Sequence, residues 1–211
     1  MKKIGITGGV GAGKSAVMAY LQEEYGAVII LADDVARRLT EPRGECFEAV
    51  CGLFGDSVLS PSGEPDRKKI AAAVFGDPEL LRKLNDIVHP AVKRKIISLF
   101  AEEEARGTEW VFLEAALLIE EKYDEICDEL WYVYADEEVR IARLSASRGY
   151  SKKKSRSIMK NQLSDEAFRT GCAFTIDNSG DFEETKLQID ARIRTLRGAF
   201  PAEEPACDCA E

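Results

Sequence analysis

Eight residues near the start of the chain, Gly8-Gly9-Val10-Gly11-Ala12-Gly13-Lys14-Ser15, have the spacing GxxxxGK[ST]. Glycines let the backbone wrap a phosphate group and aim its N–H donors inward. Lys14 brings a cation to the β and γ phosphates of a nucleotide, and Ser15 offers an oxygen to Mg²⁺. In another setting the same residues would be only a glycine-rich turn. Here an apolar strand precedes them and an amphipathic helix follows, so the helix N-terminus points at the phosphates.

Three further groups of residues could take part. Leu31-Ala32-Asp33-Asp34-Val35-Ala36-Arg37 lies at the end of a second apolar run. Ligands gather beyond the carboxyl ends of strands in open parallel sheets, so Asp33 is expected beside the phosphate loop, with Asp34 and Arg37 opening the next helix. Asp33 also reads as a plain helix cap, and a carboxylate there could do both. His89-Pro90 contains the sole histidine of the chain, either a charge partner for a helix C-terminus or a ligand. Arg148, Lys152, Lys153, Lys154, Arg156 and Lys160 concentrate positive charge in an otherwise acidic protein. Such a run is either a solvated helix face or a lid that closes over a triphosphate.

These residues need a frame. Segments 3–7, 27–31, 110–113, 130–135 and 174–176 are short, apolar and nearly continuous, the pattern of strands covered on both faces of a parallel sheet. A helix is expected over 14–24 with Gly26 as its stop, and another opens at Asp77-Pro78-Glu79 and ends near Val88 ahead of Pro90. Segment 34–108 shows helical patterns and no core strand. A charged helical stretch covers 136–163 with a break at Arg148-Gly149-Tyr150, and a last helix follows Asp181. Strands alternating with helices make a parallel α/β architecture.

Composition narrows the function classes. The 211 residues, 45% of them hydrophobic, suit a single buried core. A net charge of -9 opposes a broad footprint for nucleic acid or an anionic membrane, so a polyanion would need a local basic pocket. Met1-Lys2-Lys3 has the charge of a signal peptide, but glycines follow where apolar residues would be required, and no segment approaches a membrane span. The expected location is the cytoplasm. Six scattered cysteines with one histidine favour neither a zinc site nor a disulfide framework, and read as buried or incidental thiols.

With these features in place, the sequence resembles the dephospho-coenzyme A kinase family over roughly residues 3–195. The stretches that carry the resemblance are GITGGVGAGKS, LADDVAR with EPRG, FGDSVLSPSGEPDRKKIAAAVFGDPELLRKLNDIVHPAV, ALLIEEKYDEICDELWYVYA and TIDNSGD. The long middle one, ending in the His-Pro pair, is far more specific than the phosphate loop.

The resemblance implies a P-loop kinase fold of the α/β class: a five-stranded parallel sheet flanked by helices, with a helical substrate-binding insertion and a lid. One domain is expected over about 1–200, with its core at 1–33, 109–136 and 170–198, the coenzyme-binding insertion at 34–108 and the lid at 137–165, before a disordered acidic tail at 201–211. The implied reaction moves the γ-phosphoryl group of ATP, with Mg²⁺, to the 3′-hydroxyl of dephospho-coenzyme A in a monomer or weak oligomer that binds neither nucleic acid nor membrane. Carried over by position, Gly9, Gly11, Ala12, Gly13, Lys14, Ser15 and Ala16 hold the ATP phosphates, and Asn178 borders the adenine. Asp33 receives the hydroxyl proton, Arg37 and His89 belong to the acceptor side, and Arg140, Arg143 and Arg148 to the lid.

The sequence departs from the family pattern in three places. Leu31 replaces the first acid of a DAD triplet, Ala116 replaces a proline, and Ser147-Arg148-Gly149 stands where an Arg-Asp pair is usual. Other readings stay open: a different small-molecule or nucleoside monophosphate kinase, an ATP-hydrolysing switch, or a binding protein without turnover.

Overall fold

The computed structural model describes residues 1–55, 58–60 and 64–198, without the Arg67 side chain. Five strands form one fully parallel sheet in the order β2-β3-β1-β4-β5. They are β1 (Lys2–Thr7), β2 (Val28–Leu31), β3 (Trp110–Glu114), β4 (Glu129–Tyr134) and β5 (Phe174–Asp177). All five fall where the apolar runs place them, within a residue or two at each end.

Alternation along the strands sends side chains to two separate cores. Ile4, Ile6, Phe112, Trp131 and Ile176 pack with α1 (Lys14–Tyr25) and α9 (Phe182–Gly198) on one face. Val111, Leu113 and Leu130 pack with α2 (Ala32–Thr40) and α5 (Pro78–Ala105) on the other. Every strand of the sheet centre is covered twice, which is why its sequence reads as continuous rather than alternating.

Between β2 and β3 lie α2, α3 (Phe47–Phe54), α4 (Arg67–Phe75) and α5, and among the described residues this segment holds a single isolated bridge and no core strand. Cys46, Val50 and Ala91 centre a small apolar cluster that joins α3, α4 and α5. After β4 come α6 (Glu137–Arg148), α7 (Lys152–Met159) and α8 (Asp165–Gly171), with Gly149 in the left-handed region closing α6 at the expected break.

Two expectations fail: the sheet divides the single core expected from composition into separate clusters on its two faces, and one helix boundary is misplaced. The helix that starts at Asp77, whose carboxylate caps the Leu80 N–H at 2.9 Å, does not end near Val88 but continues through Pro90 to Ala105. Pro90 removes one donor from the ladder and crowds the turn before it. Beyond the proline, Ala91, Val92, Ile96 and Phe100 are all at most 5% exposed. Burying that face stabilises the helix by more than one lost hydrogen bond and a strained turn cost it.

Residues 201–211, expected to be a disordered tail, lie outside the described residues, and Cys207 and Cys209 with them. The described cysteines, Cys46, Cys51, Cys127 and Cys172, are buried or half-buried.

Candidate active site

β1 is the central strand, with β3 and β4 on either side; the connection from β1 runs to β2 and that from its neighbour β3 runs the opposite way to β4, so a crevice opens at their carboxyl ends. The loop 8–13 fills that crevice. Gly13, at φ +95°, sits in the left-handed region at the start of α1, with no side chain capping the helix. A Cβ there would overlap the Asn178 amide, and one at Gly9 would overlap the Arg140 guanidinium. A side chain at Gly9 would therefore have to displace the Arg140 guanidinium, and Gly13 is favoured as glycine by its left-handed backbone. Ser15 and Ala16 are exposed in the first turn of α1, where the Ala16 N–H already donates to the Gly13 carbonyl at 3.0 Å.

The loop is held by side chains from distant parts of the chain. Asn178, 2% exposed, donates to the Ala12 carbonyl at 2.7 Å and accepts from the Thr185 hydroxyl at 2.9 Å. Arg143 donates to the Ala12 carbonyl at 3.2 Å and to the Asn178 carbonyl at 2.9 Å. Arg140 donates from Nε to the Val10 carbonyl at 2.9 Å. The Asn178 amide thus ties the loop to Thr185, with one of its two N–H donors engaged on Ala12. Thr185 and Gln162, which completes the Arg140 contacts, were not legible in the sequence, because neither belongs to a motif.

Of the three arginines that the resemblance assigns to a lid, Arg140 and Arg143 meet the loop. Arg148 is exposed at the end of α6 and makes no hydrogen bond or ion pair among the described residues. Part of the basic run is neutralised locally. Arg156 pairs with Glu137 and Glu138 at 2.7 Å each, Lys152 lies 3.5 Å from Glu138, and Lys154 stacks on the Tyr150 ring.

Lys14 folds back across the loop, donating to the Gly8 carbonyl at 2.8 Å and facing Glu114 at 3.5 Å. Glu114 ends β3, in register with Ile6 of β1 and Leu31 of β2. Burial raises its carboxyl above the usual range, Lys14 lowers it and the charge of Asp33 raises it further. Asp33 is therefore near enough to act on the Lys14–Glu114 pair.

Asp33 does not cap α2. The helix starts at Ala32 with Leu31 in the cap position, and Asp33 lies in the first turn with an exposed carboxylate that has no partner among the described residues. Helical spacing puts Asp33, Ala36, Arg37 and Thr40 on one face, and all four line a cleft of about 420 Å³ against α3, α4 and α5. Asp34 and Arg38 turn the other way, toward the outer edge of the sheet. Arg37 is held by Asp34 at 2.9 Å.

His89 is not at a helix end, so the dipole reading falls with the expected stop at Val88. It sits in mid-helix with Nδ1 2.8 Å from Glu121. His89, Val88, Ala36 and Asp33 border the main cleft and also a second hollow of about 170 Å³ beside Ala115, Ala116 and Tyr123. Asp33 thus borders an apolar cleft and reaches the loop residue Lys14 only through the charge of Glu114, an arrangement that could serve transfer of a phosphoryl group to a hydroxyl bound in the cleft.

Residues 2–184 match a family described as Dephospho-CoA kinase. A relative named Dephospho-CoA kinase, from Carboxydothermus hydrogenoformans, is 38% identical over 186 residues, covering 88% of this chain and 90% of its own. A crystal structure of a Thermus thermophilus protein, TT1252, superposes with a TM-score of 0.77 at 33% identity, over 92% of this chain and 97% of that one. The Dephospho-CoA kinase of Campylobacter jejuni shares the fold, with a TM-score of 0.71 at 20% identity over 95% and 100% of the two chains. The match runs along nearly the whole described length, and the chain belongs to the dephospho-CoA kinase family.

Proposed function

We propose that this chain transfers the γ-phosphoryl group of ATP to the 3′-hydroxyl of dephospho-coenzyme A, giving coenzyme A, with Asp33 as the group that receives the hydroxyl proton. The observation that carries this reading is the position of Asp33, exposed in the acceptor cleft and close enough to Glu114 to shift its carboxyl. An acceptor oxygen becomes a nucleophile only as it loses its proton, so the base must touch cleft and phosphate loop together.

The remaining roles follow from what each group can reach. Loop N–H groups and the start of α1 cradle the phosphates. Lys14 has donors left after its bond to Gly8 and stabilises charge on the transferred group. Arg140 and Arg143, already against the loop, add positive charge from the lid segment at 137–165. The insertion at 34–108 supplies the cleft, with Arg37 and His89 at its polar edge and Val50, Ile70 and Val88 as apolar walls for the acceptor.

Mg²⁺ fits the donors present. It is commonly held by one or two carboxylates together with substrate phosphates, and Ser15 offers a hydroxyl next to Lys14, which itself faces the Glu114 carboxylate. When bound it neutralises charge on the phosphates. No helix among the described residues is long and apolar enough to cross a membrane, which is compatible with a cytoplasmic monomer or weak oligomer.

The direct test is purified protein with ATP, Mg²⁺ and dephospho-coenzyme A, read by mass for an added phosphate, beside nucleoside monophosphates as competing acceptors. Product from dephospho-coenzyme A alone, abolished in Lys14→Ala, is the expected outcome. Product only from a nucleoside monophosphate would overturn the assignment.

A further inference from the structure

Both polar groups of one residue at the crest of the phosphate loop are captured from outside the loop. The Val10 N–H donates to Gln162 Oε1 at 3.0 Å, and the Val10 carbonyl accepts from Arg140 Nε at 2.9 Å. The captors are themselves joined, because Arg140 Nη2 donates to the same Gln162 oxygen at 3.1 Å. An amide oxygen has two lone pairs, so this one is saturated by a loop N–H and a lid guanidinium. The three residues come from the loop, from α6 and from the turn between α7 and α8, and they close a ring around the loop crest.

The charge in this ring is unusual. Arg140 is 8% exposed and forms no ion pair among the described residues. A guanidinium removed from water is normally matched by a carboxylate, because burying it unpaired is costly. Here its hydrogen bonds go to neutral oxygens, so its positive charge remains available over Gly9 and Val10. A side chain that holds both that guanidinium and the loop beneath it decides where the charge sits relative to a bound triphosphate.

We infer that Gln162 is a positioning residue for ATP, acting through Arg140 and the Val10 peptide to fix the loop crest and the lid cation in one geometry. This rests on the reading of the loop as the ATP site. It does not depend on which acceptor fills the cleft.

The experiment is ATP binding by calorimetry without acceptor, followed by steady-state kinetics, for wild type, Gln162→Met, Arg140→Ala and the double variant. Met keeps length and bulk but offers no comparable acceptor. Losing hydrogen bonds to a charged partner and a backbone donor predicts ATP affinity about tenfold weaker in Gln162→Met. The KM for dephospho-coenzyme A should stay within about twofold, because the cleft is untouched. Hydrogen exchange at the Val10 amide should quicken, and the double variant should bind ATP several-fold better than the product of the single losses predicts, because the two side chains act as a unit.

ATP affinity within twofold of wild type, or fully additive losses, would overturn the inference, as would equal damage to both KM values. If Gln162→Met does not fold, Gln162→Asn withdraws the oxygen by one methylene and is read in the same way. Wild type that binds ATP yet does not phosphorylate dephospho-coenzyme A would sink the acceptor assignment alone, while wild type that binds no ATP would sink both.

Discussion

The nucleotide side and the acceptor side of the site are built by different means. Around the phosphate loop, polar side chains that are buried or half-buried, Asn178, Arg140, Arg143 and Gln162, bond directly to loop backbone groups. Around the cleft, the walls are apolar and the Arg37–Asp34 ion pair at its edge is largely exposed. Buried networks fix one geometry because each member left unpaired is costly, whereas exposed pairs contribute little and tolerate rearrangement. The loop is preset for a ligand of constant shape, and the cleft can adjust around a longer one.

That contrast yields four expectations, the largest at the border between the two sides. Asp33→Asn keeps the shape of the side chain but cannot take up a proton, so turnover should fall by roughly 10² to 10⁴. Calorimetry on the same variant should find ATP and dephospho-coenzyme A binding nearly unchanged. Turnover within about threefold of wild type would place the base elsewhere.

On the nucleotide side, Asn178→Ala leaves the Ala12 carbonyl and the Thr185 hydroxyl each without its present amide partner. The cost should be about 1–3 kcal/mol of stability. The KM for ATP should rise while that for the acceptor holds, and a denaturant titration with paired kinetics separates the two effects. On the acceptor side the pattern should invert. Val88 borders both hollows of the cleft. Val88→Ala removes about two methylene equivalents, worth up to about 1.6 kcal/mol of contact, so the acceptor KM should rise by up to about fifteenfold with ATP unaffected. Parallel shifts in both KM values for either variant would break the comparison.

The smallest effect concerns Glu114. Burial raises its carboxyl above the ordinary 4.5, against the pull of Lys14. A carboxyl with a higher pKa folded than unfolded holds its proton better in the fold, so ionising it costs stability as pH rises through the window that opens at 4.5. Glu114→Gln should therefore melt higher than wild type at neutral pH, and the difference should shrink as the pH is lowered through that window. Activity should fall, because the Lys14 partner and the carboxylate offered to Mg²⁺ are both lost. A melting temperature below wild type at neutral pH would mean that the bond to Lys14 outweighs burial.

Much of the site was legible because local spacing encodes it. A glycine loop after an apolar strand needs no distant residue to be recognised, and the strands announce themselves by burial on both faces. Choosing Asp33 over Asp34 was possible from the strand end alone. Its place within the helix, with Leu31 as cap, was not, since cap and first turn differ by a single residue.

What the sequence determined by itself was the phosphate loop, the five parallel strands and the family. Tertiary structure decided that α5 runs through Pro90, that His89 therefore faces the cleft instead of a helix end, and that Asn178, Arg140 and Gln162 converge on a loop more than 120 positions away in the chain. The physical reason is the same in each case. Burial of Val92, Ile96 and Phe100 overrides a local breaker, and a side chain's bond to a distant backbone group leaves no periodicity in its own neighbourhood.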